Sequence, residues 1–338
     1  MPNFRIAPDS FSNLISSKFV NRFRNTAKAP VIGAVLLLST LVIFSVISCG
    51  QGNPNQTPNR PPQQQLTDTA LVQYKSFHSD KLGRDVQYAV QLPPSYATSQ
   101  KRYPVLIFLH GLFEDAGRWN RHGADVKIDA LRSEGKIGEM IIVIPSADRG
   151  LGLYTDSSDG KNLWEQAITV DLVKHIDQTY RTMPGAAHRA IGGISLGGWG
   201  ALKIAFRHPE MFGAVITHCA ALLPDYPPKP STPNPRSYYG IFSQVFGEPY
   251  NKEMWDNNDP AVLAKKNAAA IKKSGLKIYF DCGTEDSFQF FNGAKALDAA
   301  LTSVQIPHEF HLFPGAHGWE YTLTVVDHSF PFAWQAIK

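Results

Sequence analysis

Ser195 sits in Gly193-Ile194-Ser195-Leu196-Gly197, a G-x-S-x-G pattern with the apolar run Arg189 to Gly192 before it and a helix-compatible stretch after it. A strand that turns sharply into a helix at such a serine holds the hydroxyl exposed in a strained backbone. Side chains two positions to either side would collide with the neighbouring backbone, which accounts for the flanking glycines. The chemistry that fits is attack of the hydroxyl on a carbonyl carbon. A serine hydroxyl is a weak nucleophile and needs a base within hydrogen-bond reach.

For a serine in this setting the chain order is serine, then acid, then histidine. The histidines after Ser195 are His208, His218, His308, His311, His317 and His328. His317 is the best placed, because Pro314-Gly315-Ala316-His317-Gly318 reads as a turn after the last strand, at the end of an open α/β sheet where ligands sit. His308 and His311 fall at or within that strand, and His208 ends a helix before Pro209. The acid should follow the strand Lys277 to Phe280, where Asp281, Glu285 and Asp286 lie close together. Asp281 belongs to the strand, so Asp286 on the loop beyond it is the choice to fix the histidine tautomer. Two backbone N–H groups must stabilise the oxyanion. They map to Leu196, next to the serine, and to Leu112 in the turn His110-Gly111-Leu112 after the strand Val105 to Leu109. The scheme calls for no metal and no organic cofactor.

The elements that position these residues alternate in type. Strands are expected at Leu71 to Phe77, Val86 to Leu92, Val105 to Leu109, Met140 to Ile144, Arg189 to Gly192, Ala214 to His218, Lys277 to Phe280 and Glu309 to Phe313. Helices are expected at Trp164 to Tyr180, Leu196 to Arg207, Ala261 to Lys273 and Gly293 to Leu301. Alternation of this kind predicts an α/β fold, a mostly parallel eight-stranded sheet covered by helices on both faces. The first two strands have no helix between them and should pair antiparallel at one edge.

The chain has 338 residues and a formal charge of +4, with 33 basic and 29 acidic side chains. Residues 1 to 49 hold Arg5, Lys18, Arg22, Arg24 and Lys28 against Asp9 alone, so the remainder carries 28 of each sign. A nucleic-acid binder would carry a basic patch or stripe, and that class is set aside. The N-terminal basic residues precede an uncharged run from Val31 to Ile47 and then Ser48-Cys49-Gly50, the order of an export signal. Val46-Ile47-Ser48-Cys49 resembles the lipobox of bacterial lipoproteins, which implies a signal peptide over 1–48, cleavage before Cys49, and a diacylated cysteine holding the protein to a membrane. An uncleaved helix fits less well, since 17 residues at about 1.5 Å each span roughly 25 Å of a 30 Å hydrocarbon core. Residues 49–70, with four prolines and almost no apolar content, read as a flexible tether to a catalytic domain over 71–338. Cys219 and Cys282 close apparent strands; they allow one bridge at most, and buried free thiols are the expected state.

The segments LIFLHGLFED, NLWEQAITVDLVKHID, GGISLGGWGALKIAFRHPEMFGAV, YFDCGTEDSF and PGAHGWEY together resemble the putative-esterase family of α/β-hydrolases, which includes esterase D (S-formylglutathione hydrolase), bacterial feruloyl and acetylxylan esterases, and the mycolyltransferases. The similarity runs over roughly residues 71–338. It implies a triad of Ser195, Asp286 and His317, oxyanion amides at Leu112 and Leu196, and a small-molecule or polysaccharide ester as substrate. Acyl transfer to a sugar hydroxyl uses the same triad and is the alternative, and a lipid-anchored binding module is the non-catalytic one. Glu165 in the Trp164-Glu165 pair matches a recurrent family position and is expected to support a helix N-terminus. Pro224 to Ser237 has no counterpart in the family and follows the sixth strand on the side where substrates enter, so a rim or partial lid is expected there.

Overall fold

The computed structural model describes residues 67–338 apart from residues 236 and 250. Its strands are β1 Val72–Ser79, β2 Arg84–Gln91, β3 Val105–Leu109, β4 Ile141–Pro145, β5 Arg189–Ile194, β6 Ala214–His218, β7 Lys277–Gly283 and β8 Glu309–Phe313. They form one sheet in the order β1-β2-β4-β3-β5-β6-β7-β8. β1 pairs antiparallel with β2, and β2 with β4; every other neighbour is parallel. The fold is that of the α/β-hydrolases. The expected signal peptide 1–48, Cys49 and nearly all of the expected tether lie outside the described residues.

The central strands β3, β4, β5 and β6 are buried at every position, as continuous apolar runs covered on both faces should be. Alternate residues face opposite layers: Ile107 and Leu109 join one core, Leu106 and Phe108 the other. The second core is closed by α1 (Ala124–Ser133), through Ile128 and Leu131. On the first lie α2, residues 164–179, with Trp164, Ile168, Leu172 and Ile176, and α3 (Leu196–Arg207). α4 (Tyr238–Phe246), α5 (Lys252–Asp256), α6 (Pro260–Lys266), α7 (Ala268–Ser274) and α8 (Phe290–Ser303) follow in the chain. α9 (Trp319–Ile337) closes the second core with Val326, Phe330 and Ala333.

Several elements depart from expectation, among them α1, α4 and α5, where no helix was expected. The helix expected over Ala261 to Lys273 is two helices that meet at Asn267, whose side chain donates to Phe206 O at 2.8 Å and fixes the break. Asp281 is a strand residue as expected, but β7 continues past it to Gly283 and takes in Cys282 as well. α9 holds Pro331 inside it, which hides a helix from a periodicity reading.

The chain reverses its direction of travel across the sheet at β3: β4 lies on one side of it and β5 on the other. Ligands in open α/β sheets bind outside the carboxyl ends of the strands at such a switch point. Leu112 follows β3 and Ser195 follows β5, so the topology brings the two together.

Candidate active site

Ser195 occupies the turn between β5 and α3 with φ 56° and ψ −121°, a strained conformation that costs about 1–3 kcal/mol and persists because the surroundings over-determine it. Its N–H donates to His218 O at 3.0 Å, and its carbonyl accepts from Ala221 N at 2.8 Å. A Cβ on Gly193 would lie 2.5 Å from the Gly197 carbonyl, and one on Gly197 would lie 2.1 Å from Leu109 O. Both glycines are therefore required by close backbone approach.

His317 Nε2 lies 3.0 Å from Ser195 Oγ, and Nδ1 lies 2.9 Å from Asp286 Oδ2. Asp286 is buried, and its other oxygen accepts Phe288 N–H at 2.8 Å. The loops carrying the two residues are stitched together by Thr284 N–H to Phe313 O at 2.9 Å and Glu285 N–H to Gly315 O at 2.8 Å. Phe288 and Phe290 meet the imidazole edge-on at centroid distances of 4.9 and 5.4 Å. Burial alone would lower the His317 pKa, but the Asp286 carboxylate and the Cys219 sulfur outweigh it and push the value up to about 9.

The amide of Leu196 is the first of α3, one of the N-terminal N–H groups that have no intrahelical acceptor. In the turn after β3, Gly111 N–H donates to Glu114 Oε2 at 3.0 Å and Phe113 N–H to Arg149 O at 2.5 Å. Between them, the Leu112 N–H has no protein acceptor among the described residues. His110 braces the turn: Nε2 accepts Ala147 N–H at 3.0 Å, so Nδ1 donates to Gly111 O at 2.8 Å. Burial lowers the pKa of this imidazole to about 4, which keeps it neutral.

Several residues at the site escaped the sequence reading. Glu114 accepts Trp319 Nε1–H as well as Gly111 N–H, and so bridges the turn that carries Leu112 to the segment that carries His317. Burial raises its pKa against those hydrogen bonds. Cys219, with φ 43°, and Cys282 lie beneath Asp286 and His317, both buried and free. Tyr238 of α4 is half-buried with its hydroxyl in the field of Asp286; desolvation, then that charge, raises its pKa. Of these only the cysteines left a signal in the sequence, as residues closing two adjacent strands.

Asp281 is engaged elsewhere. Its Oδ2 is 2.8 Å from His218 Nδ1 and its Oδ1 accepts Tyr321 Oη–H at 2.8 Å, while Ser329 Oγ is 3.2 Å from His218 Nε2. This second Ser-His-Asp set is buried throughout, so it holds α9 on the sheet and has no opening to a substrate.

Glu165 does more than support a helix N-terminus. Its carboxylate meets Lys203 Nζ at 2.9 Å, Arg207 Nε at 3.0 Å and His208 Nε2 at 2.8 Å. Lys203 is wholly buried and also donates to Tyr154 O at 2.5 Å and Thr155 Oγ1 at 2.9 Å. Tyr154 Oη in turn donates to His110 O at 2.8 Å, so this cluster underpins the turn after β3. The insertion after β6 is packed down by Tyr226, which stands edge-on to Trp255 at 5.4 Å and to Phe242 and Phe246 at 6.2 and 6.1 Å.

Residues 79–325 match the family model described as "Putative esterase". An esterase of Mycobacterium tuberculosis is 27% identical over 260 residues, a match covering 72% of this chain and 55% of that protein. The chain thus spans about half the length of that relative. A diacylglycerol acyltransferase/mycolyltransferase of Mycobacterium leprae is 25% identical and covers 90% of this chain and 93% of its own. Among solved structures, a ferulic acid esterase superposes with a TM-score of 0.67 at 27% identity, covering 78% of this chain and 97% of that one.

Proposed function

This chain belongs to the putative-esterase family, and on that premise we propose that it is a serine esterase that cleaves carboxylic esters through an acyl-serine intermediate. The observation that carries the reading is the continuous hydrogen-bond chain Ser195–His317–Asp286, with spacings of 3.0 and 2.9 Å. Ser195 Oγ attacks the ester carbonyl as His317 Nε2 takes its proton. The Leu112 and Leu196 amides hold the negative oxygen, a contribution that costs about 10²–10³ in rate when one such donor is removed. The same Nε2–H then protonates the leaving alkoxide. Water, deprotonated by His317 in its turn, releases the acid from Ser195. Asp286 keeps the imidazole in the tautomer that accepts at Nε2.

Phe288, half-buried beside His317, and Phe113, which is 45% exposed next to Leu112, offer flat apolar surface. They suit small aryl esters or aryl-esterified polysaccharide, as the name of the ferulic acid esterase suggests. The insertion Pro224 to Ser237 serves as a rim of this entrance. The sequence Val46-Ile47-Ser48-Cys49 supports export and a diacyl anchor on Cys49, which would place the enzyme at the cell envelope of a bacterium. Acyl transfer is the second reading, favoured by the mycolyltransferase match along most of both chains. Acetyl, butyryl and feruloyl esters assayed with and without sugar alcohols separate the two: an esterase releases free acid at a rate the alcohol leaves unchanged, whereas a transferase diverts the acyl group to it. The mass of the mature N-terminal peptide tests the anchor, which requires an acylated Cys49.

A further inference from the structure

β6 and β7 run parallel with His218 opposite Asp281. The next residue along the chain from each is a cysteine: Cys219 directly follows β6 and Cys282 lies within β7, so the two stand at one level of the sheet. Adjacent strands lie about 4.8 Å apart, inside the roughly 4.4–6.8 Å Cα separation that a disulfide accepts. Cys219 N–H donates to Asp281 O at 2.8 Å, which holds the two strand ends together at this point. Both thiols are buried and free, and each sulfur interacts with the other.

These sulfurs also touch the reacting groups. Cys282 Sγ donates to Asp286 Oδ2 at 3.6 Å, the same oxygen that faces His317 Nδ1. Cys219 Sγ accepts Gly283 N–H at 3.5 Å. With a His317 ring nitrogen and an Asp286 oxygen it forms a set whose atoms all lie within 4.8 Å of one another. The turn at Cys219 is tied to the nucleophile as well, through Ala221 N–H to Ser195 O at 2.8 Å.

We propose that Cys219 and Cys282 form a redox modification site beneath the catalytic acid, which reacts with a small two-electron thiol oxidant and closes to a disulfide that slows the reaction at Ser195. The proposal rests on the triad reading above. In the step, two S–H bonds break and one S–S bond forms; two electrons and two protons pass to the oxidant. With diamide, the azo group takes them up and leaves as the hydrazine. Cys219 is the thiol that starts it: Cys282 and His317, against burial, lower its pKa toward the reactive thiolate. The S–S bond, about 2.05 Å long, draws both sulfurs from their present partners. Cys282 then no longer donates to Asp286, and Cys219 leaves the edge of His317. Displacements of about 1 Å in a catalytic constellation cost about 10²-fold in rate.

The test treats the reduced full-length protein with diamide and follows two readouts in parallel, p-nitrophenyl acetate turnover and the mass of the peptide pair joined through Cys219 and Cys282. The expected result is a linked peptide that accumulates in step with a fall in kcat of at least about tenfold, both reversed by dithiothreitol. Cys219→Ser and Cys282→Ser, each compared with its own untreated rate, should not slow under diamide. Absence of the linked peptide, a linked peptide at unchanged kcat, or a single-cysteine variant that slows as the wild type does would each overturn the proposal. Reduced enzyme without any turnover overturns the esterase reading instead, and the peptide mass still decides whether the pair closes.

Discussion

Glu114 joins the two halves of the site to Trp319: its Oε1 accepts the indole N–H at 3.0 Å while Oε2 holds Gly111 N–H at the same distance. Leu112 lies beside Gly111, and His317 lies two residues before Trp319, so one carboxylate sets the spacing between the oxyanion amide and the base. Glu114→Ala frees both segments and should lower kcat by about 10²-fold, the scale of a 1 Å misplacement, with a smaller change in KM. Trp319→Phe keeps the ring but removes the donor and should shift kcat in the same direction. Unchanged kcat in both variants, measured by steady-state kinetics, would mean that the spacing is set elsewhere.

The base acts in its neutral form, so the sign of its pKa shift fixes the pH range of activity. The His317 pKa is raised from 6.5 to about 9; activity should therefore fall as pH drops through a value above 6.5, and still be climbing at neutral pH. The acid limb of kcat/KM on a neutral ester reads this directly. A limb at or below 6.5 would show that burial outweighs Asp286 and Cys219.

Two aspartates five residues apart have different partners and should respond differently. Asp286→Asn leaves His317 in the wrong tautomer and is expected to lower kcat by about 10⁴. Asp281 instead serves His218 and Tyr321. Asp281→Asn should leave kcat of the folded enzyme within about tenfold and cost about 1.5–3 kcal/mol of stability, the range for a hydrogen bond to a charged group. Kinetics and denaturant melts on both variants check the division of labour.

Glu165 and Lys203 are an ion pair sealed from solvent, with side chains 4% and 0% exposed. Removing one partner strands the other, so Glu165→Gln and Lys203→Met should each destabilise by about 3–5 kcal/mol, while the double replacement recovers part of the loss. Burial opposes the Glu165 charge, but Lys203, His208 and Arg207 depress its pKa from 4.5 to about 2. Its contribution is then fully present above pH 4.5 and lost as pH falls from there toward 2. Urea melts across that range, wild type against Glu165→Gln, should converge at the acid end.

The strands were legible because the central ones are buried on both faces and so read as uninterrupted apolar runs, Val105 to Leu109 above all. Ser195, Asp286 and His317 were legible from a motif, a chain order and a turn. Residues that act through tertiary contacts were not. Asp281 looks like the polar end of a strand until His218 and Tyr321 are seen to bury it, and β7 runs on to Gly283. Lys203 looks like a surface lysine on an apolar helix, since Glu165 lies 38 positions away in sequence. α9 was masked by Pro331, and the hold of Glu114 on Trp319 crosses 205 positions.

The central claim is that the acyl group passes through Ser195. Acid-quenched enzyme, sampled during p-nitrophenyl acetate turnover and mapped by peptide mass spectrometry, tests it most directly. The account predicts one acetyl group on the peptide containing Ser195, and its disappearance in Ser195→Ala together with turnover, down to a residue of about 10³–10⁴-fold over water. An acetyl group on another residue, or a Ser195→Ala variant that keeps more than about a tenth of wild-type turnover, would contradict it, because the covalent step would then be running elsewhere.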